Sequence, residues 1–324
     1  MRIRHVAAAG AAGVILAGAA ALLAQDAPDG AVRVAFLPNM GHAIPIVGLE
    51  MGFFEMDVEP RMLDSGPQVI ESLFSGSADI AYAGPGPAVN GFLKSGKITV
   101  LGGAASGGSS LIVQNNSGIT GAAGLSGMIA AAPQVANTQD VSLRTYISGA
   151  GLGTAERGGS VTVLNTASPE IHALFRRGDI DAAWSPEPWA TMLVSELGGE
   201  RLFREESLWD DGRFSSTLLI ASSGYIGENP EAAEKWLAGH NRTAAWIAEN
   251  PDGAAAAFGS FMEREIGARY PDGVLAEAFS NIEITSDPLP DSVAEFARRA
   301  DDLGYLGRGE YDLDGLFRPG LAVQ

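Results

Sequence analysis

Cysteine is absent from the 324 residues. That excludes disulfides, thiolate zinc and iron–sulfur sites, thiol catalysis and a lipid-modified N-terminal cysteine. Histidine is scarce: His5, His42, His172 and His240 are the four, and their spacing matches no metal-ligand pattern. Basic residues are few, 21 against 39 acidic ones, for a net charge of −18. A chain this acidic is a poor partner for nucleic acid, whose phosphates call for clustered Lys and Arg. Familiar catalytic and nucleotide motifs fail on inspection. The stretch from Gly91 to Ile98 nearly spells a phosphate loop, but Ile98 stands where a hydroxyl must hold Mg²⁺, and the helix precedes the strand instead of following it. Gly149 to Thr154 nearly spells a dinucleotide fingerprint, but Thr154 replaces the last glycine and the run reads as a helix stop. No Gly-x-Ser-x-Gly occurs. The expectation is a chain with no metal, no cofactor and no enzymatic activity.

What is present reads as a globular chain, 46% hydrophobic and 19% charged. Its length suits two domains better than one. Arg2 and Arg4 precede an uncharged run from Val6 to Ala24, rich in Ala, Gly and Leu, after which the chain turns abruptly polar. We read residues 1–24 as a secretory signal peptide, with small-residue cleavage options after Ala21 or Ala24. The alternative is an uncleaved anchor, since the run is just long enough to span a bilayer. Cleavage would leave a soluble periplasmic protein carrying two fewer positive charges.

Short β-type runs alternate with helical stretches as far as Ala221, the signature of βαβ units and mainly parallel sheets. Strands are expected at 32–36, 58–63, 80–82, 98–102, 111–114, 128–131, 161–164, 182–184 and 217–221. Helices are expected near 43–54, 67–75, 87–95, 139–148, 169–177 and 189–196. Further on the period becomes helical: 229–250, then 252–267, 273–281 and 290–304. One internal echo stands out. Leu73-Phe74 and Leu174-Phe175 each end a helix ahead of a capping Gly. Each is followed by an Asp three residues after that Gly and an aromatic three after the Asp. The Pro-x-Pro loops Pro85-Gly86-Pro87 and Pro186-Glu187-Pro188 follow, each leading into a helix. The echo predicts two similar α/β domains, each presenting such a loop at the carboxyl end of a strand, where open α/β sheets bind ligands.

Other loops fall at the same edge: Pro38-Asn39 to His42, Asp64-Ser65-Gly66-Pro67, and Pro133 to Gln139. Each precedes a helix, so each offers backbone N–H groups and a partial positive charge suited to a small anion without Lys or Arg. The candidate site residues are Asn39, His42, Ser65, Gly66, Gly84, Pro85, Gly86, Asn137, Thr138, Gln139, Glu187 and Trp189. Gly84 and Gly86 would let a ligand approach the backbone closely. Asn137, Thr138 and Gln139 are uncharged hydrogen-bonding groups at a helix start. His42 would donate to an oxyanion, against the alternative of a core or cap role. Glu187 facing the crevice would select a ligand that carries a donor; turned to an arginine it would say nothing. Trp189 would cover an apolar part of a ligand, against the alternative of a core role.

These residues also carry a family resemblance. Seven segments in order resemble the nitrate/sulfonate/taurine class of ABC-transporter substrate-binding proteins, the SsuA/TauA/NrtA-like family: Phe36-Leu37-Pro38-Asn39 through His42-Ala43, Gly52-Phe53-Phe54, Ser65-Gly66-Pro67, Asp79-Ile80-Ala81-Tyr82, Gly84-Pro85-Gly86-Pro87, Asn137-Thr138-Gln139-Asp140-Val141 and Pro186-Glu187-Pro188-Trp189. The resemblance runs from Arg33 to Ala221. It implies a type II periplasmic-binding-protein fold of two α/β lobes, joined by two crossover strands near 108–114 and 215–223, with a helical C-terminal region. Residues 31–110 and 219–324 would form the first lobe and residues 111–218 the second. It implies capture of a small anionic or zwitterionic solute and its delivery to an ABC permease by a monomer. An aliphatic sulfonate or taurine comes first, with nitrate or a pyrimidine precursor as further options. A hydrolase or lyase on the same scaffold, with His42 as base, and a ligand-sensing module remain as alternatives.

Overall fold

The computed structural model describes residues 30–307 and 311–317. The signal peptide expected at 1–24 lies outside the described residues. In chain order the elements are β1 (Val32–Phe36), α1 (Ala43–Glu50), β2 (Val58–Met62), α2 (Gly66–Phe74), β3 (Ile80–Ala83), α3 (Pro85–Ser95) and β4 (Ile98–Gly107). Next come β5 (Ser109–Val113), β6 (Ile129–Ala132), α4 (Thr138–Gly149), β7 (Thr162–Asn165), α5 (Ser168–Arg177), β8 (Ala182–Pro186), α6 (Trp189–Ser195) and β9 (Glu200–Arg204). The chain closes with β10 (Ser215–Ser222), α7 (Ser223–Glu228), α8 (Pro230–Glu249), α9 (Pro251–Ile266), α10 (Val274–Ser280), β11 (Ile282–Ile284) and α11 (Pro290–Asp302).

Two sheets result, ordered β11-β4-β10-β3-β1-β2 and β7-β6-β8-β5-β9. Apart from β11 they share one pattern. A central strand runs parallel to two neighbours, β1 to β2 and β3, or β6 to β7 and β8. The next strand along is antiparallel, β10 beside β3 and β5 beside β8. That antiparallel strand arrives from the other half of the chain in both cases, so each sheet is completed by a crossing segment. The duplication expected from the Leu-Phe and Pro-x-Pro echo is therefore present in the topology itself.

Local chemistry explains most boundaries. Ser65 caps α2, its Oγ accepting from the Gln68 amide at 3.5 Å, and Pro67 follows in the first turn. Asn137 caps α4, its Oδ1 accepting from the Asp140 amide at 2.9 Å. Gly96 and Gly178 end α3 and α5 in the left-handed conformation, at φ 64° and 73°. The first sheet is covered on one face by α1, α8 and α9 around Phe36, Trp236 and Phe258, and on the other by α2, α3 and α11 around Val69, Val89 and Val293. The second sheet has its own cores, one around Leu143 and Trp184 and one around Ile171 and Phe175.

Several features differ from expectation, among them α7, which lies where a crossover strand was expected to end. β9 was not expected because its sequence, Glu-Arg-Leu-Phe-Arg, has charges at both ends and is half exposed. β11 is three residues long and falls between the stretches 273–281 and 290–304 read as helical, where no element was expected. The return crossing runs through 205–214, because β10 pairs with β4 from its first residue, Ser215 against Ser106. The boundary drawn at 218 from the sequence thus falls inside a strand of the first sheet.

Candidate functional site

The carboxyl ends of β1, β3 and β6, the helix starts that follow them, and the two crossing segments meet at one crevice between the sheets. Leu37, Asn39, Gly41 and His42 line it from the first turn after β1. Gly66, Gly84 and Pro87 line it at the starts of α2 and α3. Gln134, Asn137, Thr138 and Gln139 line it from the second lobe. Gly107, Gly108 and Ser109 at the first crossing, Ser216 and Thr217 on β10 just after the return crossing, and Pro186 and Ile282 complete the wall. The space open to the centre of a water molecule is about 50 Å³. That is room for roughly four waters.

The side chains at this crevice are held by their own helices and turns. Asn39 Oδ1 accepts from the Gly41 amide at 3.0 Å, closing a 3-10 turn. His42 Nδ1 accepts from the Leu37 amide at 3.3 Å, so Nε2 carries the proton and is the donor. Burial holds its pKa down, to about 3, so the ring is neutral. Gln139 Nε2 donates to Ser109 Oγ at 3.2 Å. The lobes touch directly: Gln134 Nε2 donates to the Asp64 carbonyl at 3.1 Å, and the Met40 amide donates to the Glu187 carbonyl at 3.1 Å. Glycine permits this approach. A Cβ on Gly84 would run into Thr138 Oγ1 and one on Gly86 would sit 3.1 Å from the Ala136 carbonyl oxygen; within the first lobe, one on Gly41 would sit 2.6 Å from Thr217 Oγ1.

The electrostatics follow from what is missing. None of the lining residues is Lys, Arg, Asp or Glu. The helix starts of α2, α3 and α4 converge here instead. Each directs the positive end of its dipole at the same space, and the free first-turn amides are few, since Pro67, Pro85 and Pro87 have none and Ser65 and Asn137 take those of Gln68 and Asp140. Ser216 Oγ is buried without a partner, as is Ser215 Oγ beside it on β10. Buried hydroxyls normally find one. The arrangement provides a compact set of neutral donors, suited to an acceptor-rich molecule of a few atoms. Among the described residues no group of three His, Asp or Glu side chains is placed to hold a metal ion.

Of the twelve candidate residues, seven line the crevice: Asn39, His42, Gly66, Gly84, Asn137, Thr138 and Gln139. Five do not. Ser65 is occupied in capping α2. Pro85 and Gly86 are buried in the first turn of α3, Gly86 against the Ala136 carbonyl. Trp189 packs edge-on to His172 with ring centroids 5.9 Å apart. Glu187 is buried, but its carboxylate is fully engaged elsewhere. Oε1 accepts from Arg201 Nη1 at 3.0 Å and Asn281 Nδ2 at 3.1 Å, and Oε2 from the Thr191 amide at 3.0 Å. Burial pushes this carboxyl up and the Arg201 charge opposes the shift. The Pro-x-Pro loop presents its carbonyl to the first lobe and turns its acid away from the crevice, onto Arg201 and Thr191 of the second lobe and Asn281 of the first. The His42-based hydrolase also loses its base, because Nδ1 is taken by a backbone amide and Nε2 is protonated.

The twelve candidates include no residue of the crossings expected near 108–114 and 215–223. Gly107-Gly108-Ser109 and the hydroxyl run Ser215-Ser216-Thr217 are visible in the sequence. Each lies at a segment expected to join the lobes. A crevice between two lobes has their connections as one of its walls, so the signal was available.

Comparison with known proteins extends the picture. The model of the family described as NMT1-like matches residues 25–259. Among curated relatives, a protein named as a binding protein from Brucella abortus (strain 2308) is 27% identical over 225 residues, covering 67% of this chain. The match covers 66% of that relative, just under two thirds of its length. Among solved structures, the alkanesulfonate-binding protein SsuA from Xanthomonas axonopodis pv. citri, bound to MOPS, superposes with a TM-score of 0.72. It is 18% identical, over 89% of this chain and 97% of that one. The periplasmic nitrate-binding protein NrtA from Synechocystis PCC 6803 gives 0.72 at 17% identity, over 90% and 86%. SsuA from Escherichia coli gives 0.69 at 20%, over 86% and 92%. At these identities the likeness is one of fold, and the fold is that of the two-lobed periplasmic binding proteins.

Proposed function

The chain belongs to the NMT1-like family, and from that premise we propose that it is the solute-binding component of an ABC importer. In this reading residues 1–24 direct it to the periplasm and are removed. The mature protein, a monomer, captures a small anion or zwitterion between its lobes and delivers it to a membrane permease. The observation that carries this reading is the crevice itself: both lobes and both crossings wall it, three helix starts point into it, and no charged side chain lines it. The residues we assign to the ligand are Asn39, His42, Gly66, Gly84, Asn137, Thr138 and Gln139, with Ser109, Ser216 and Thr217.

A ligand that touches both lobes only when they are together shifts the population toward the closed state. Hydrogen bonds to a charged acceptor contribute about 1.5–3 kcal/mol each. Three or four of them, less the entropy of association, are consistent with an affinity near micromolar, about −8 kcal/mol. The crevice volume favours a compact headgroup. A nitrate or a short sulfonate is of the size of the few waters such a space holds. The chain of a longer alkanesulfonate would have to point toward the mouth.

The test is thermal unfolding of the mature protein with nitrate, methanesulfonate, taurine, longer alkanesulfonates and pyrimidine precursors. A specific ligand at a hundred times its Kd should add about 2.7 kcal/mol, read as a higher Tm. We expect compact anions to act and long-chain sulfonates to act less. Silence across the whole panel would remove the ligand class while leaving the fold in place.

A further inference from the structure

The crevice loop Gln134–Asn137 is held in place by its own lobe and by one group from outside it. Its Ala136 sits at φ 63°, a left-handed conformation that costs a non-glycine residue. The bend is secured by Asp140, whose Oδ2 accepts the Ala136 amide at 2.8 Å. Asp140 is fully buried, and four donors meet its carboxylate. Oδ1 takes Arg144 Nε at 2.7 Å and Asn165 Nδ2 at 2.9 Å, both from the second lobe. The remaining donor is the Tyr305 hydroxyl, at 2.6 Å from Oδ2. Tyr305 follows α11, which packs through Val293 and Ala297 on the first lobe beside Ala88 and Val89. Ser292 Oγ of α11 also accepts from the Ser215 amide of β10 at 2.8 Å. The far end of α11 reaches the second lobe, where Phe296, Ala300 and Leu303 meet Val141 of α4 and Arg157 donates to the Leu303 carbonyl.

We propose that Tyr305 is a latch and a positioning residue: its hydroxyl, carried on a helix anchored to the first lobe, completes the Asp140 carboxylate that shapes the crevice loop of the second lobe. Opening the crevice separates Tyr305 from Asp140, and the left-handed bend at Ala136 then loses part of its support. Closure and the ligand-ready shape of Gln134, Asn137 and Thr138 become a single event. The inference builds on the solute-binding reading only for its effect on affinity, and its decisive readouts need no ligand.

The test uses Tyr305→Phe, which keeps the ring and removes the hydroxyl, in the full mature chain. Because the protein has no cysteine, Glu71→Cys on α2 and Glu170→Cys on α5 give two unique spin-label sites, one per lobe. Both positions are exposed. We expect the Ala136 amide to exchange with deuterium about tenfold faster in the Phe variant, the size of effect one lost hydrogen bond gives. We also expect the inter-lobe distance distribution to gain a longer component. Asn165→Ala removes an Asp140 donor that lies within the second lobe, and should speed exchange at Ala136 without lengthening the distance. Unchanged exchange in Tyr305→Phe, or an equal lengthening in Asn165→Ala, would overturn the proposal. Failure of every panel solute to bind would count against the solute-binding reading and leave these two readouts intact.

Discussion

A single atom decides how closely the lobes meet. The hydroxyl of Thr138 lies where a Cβ of Gly84 would be, so Gly84→Ala must push the lobes apart or displace Thr138. We expect affinity for the active solute to fall at least about tenfold, as measured by titration calorimetry. The double variant Gly84→Ala/Thr138→Ala should recover closure, seen as a restored compact distance between lobe labels, while lacking the threonine's hydrogen bond. Glu187 makes the opposite case. Its partner Arg201 is 18% exposed at the side chain and the acid is at 0%. Glu187→Gln should therefore leave solute affinity unchanged and lower the unfolding free energy by about 3 kcal/mol, the cost of breaking a buried pair. A loss of affinity without a loss of stability would place Glu187 back at the ligand. Its type and position suggested a selector in the sequence; only the arrival of Arg201 from β9 and Asn281 from the end of α10 turned it into a brace.

At the scale of the element, the start of α4 does two jobs with one residue. Asn137 caps the helix and lines the crevice. Asp caps as well as Asn, and Ala costs about 1 kcal/mol. Asn137→Asp should thus leave the Tm within a degree or two, yet weaken anion binding by at least tenfold, because a carboxylate then stands among the donors. Asn137→Ala should lower stability and weaken binding only modestly. Equal affinity in the Asp variant would show that the ligand does not carry its negative charge near α4. This helix start, with its Asn-Thr-Gln-Asp signature, was readable directly, since capping is local chemistry. β9 was not, since a half-exposed strand with charged ends takes its identity from the neighbour it pairs with.

Across the whole molecule, the segment linking β9 to β10 carries a buried acid. Glu205 Oε1 accepts from Ser142 Oγ of α4 at 2.5 Å and Oε2 from Trp184 Nε1 of β8 at 2.7 Å. Burial pushes its pKa up from 4.5 to about 7, against the hydrogen bonds from Ser142 and Trp184 and the charge of Arg299. The folded state therefore holds this proton more tightly than the unfolded chain. Its contribution to stability is complete below pH 4.5 and is lost as pH rises to 7, by up to about 3 kcal/mol. His42 and His240 work in the other sense. Burial lowers them from 6.5 to about 3 and about 4, so their contribution is present above pH 6.5 and falls away below it. Urea unfolding of Glu205→Gln and its parent between pH 4.5 and 7.5 separates the effects. The difference in unfolding free energy should change with pH across that window. A constant difference would mean that Glu205 does not titrate there.

The sequence by itself determined the two-lobed α/β plan, because repeats, turn residues and helix caps act over a few neighbours and leave a mark in the order of residues. It also raises the expectation of a site without Lys or Arg, because the loops at the strand ends hold Ser, Thr, Asn and Gln. The tertiary structure decided which candidates face the crevice. His42 became a neutral donor when a backbone amide took its other nitrogen. Glu187 was neutralised by Arg201. Ser216 and Thr217 became crevice walls when β10 crossed back between β3 and β4. Each of those outcomes depends on a partner tens to hundreds of residues away or on the burial of a charge. Long-range pairing and desolvation are settled by packing, which local sequence does not encode.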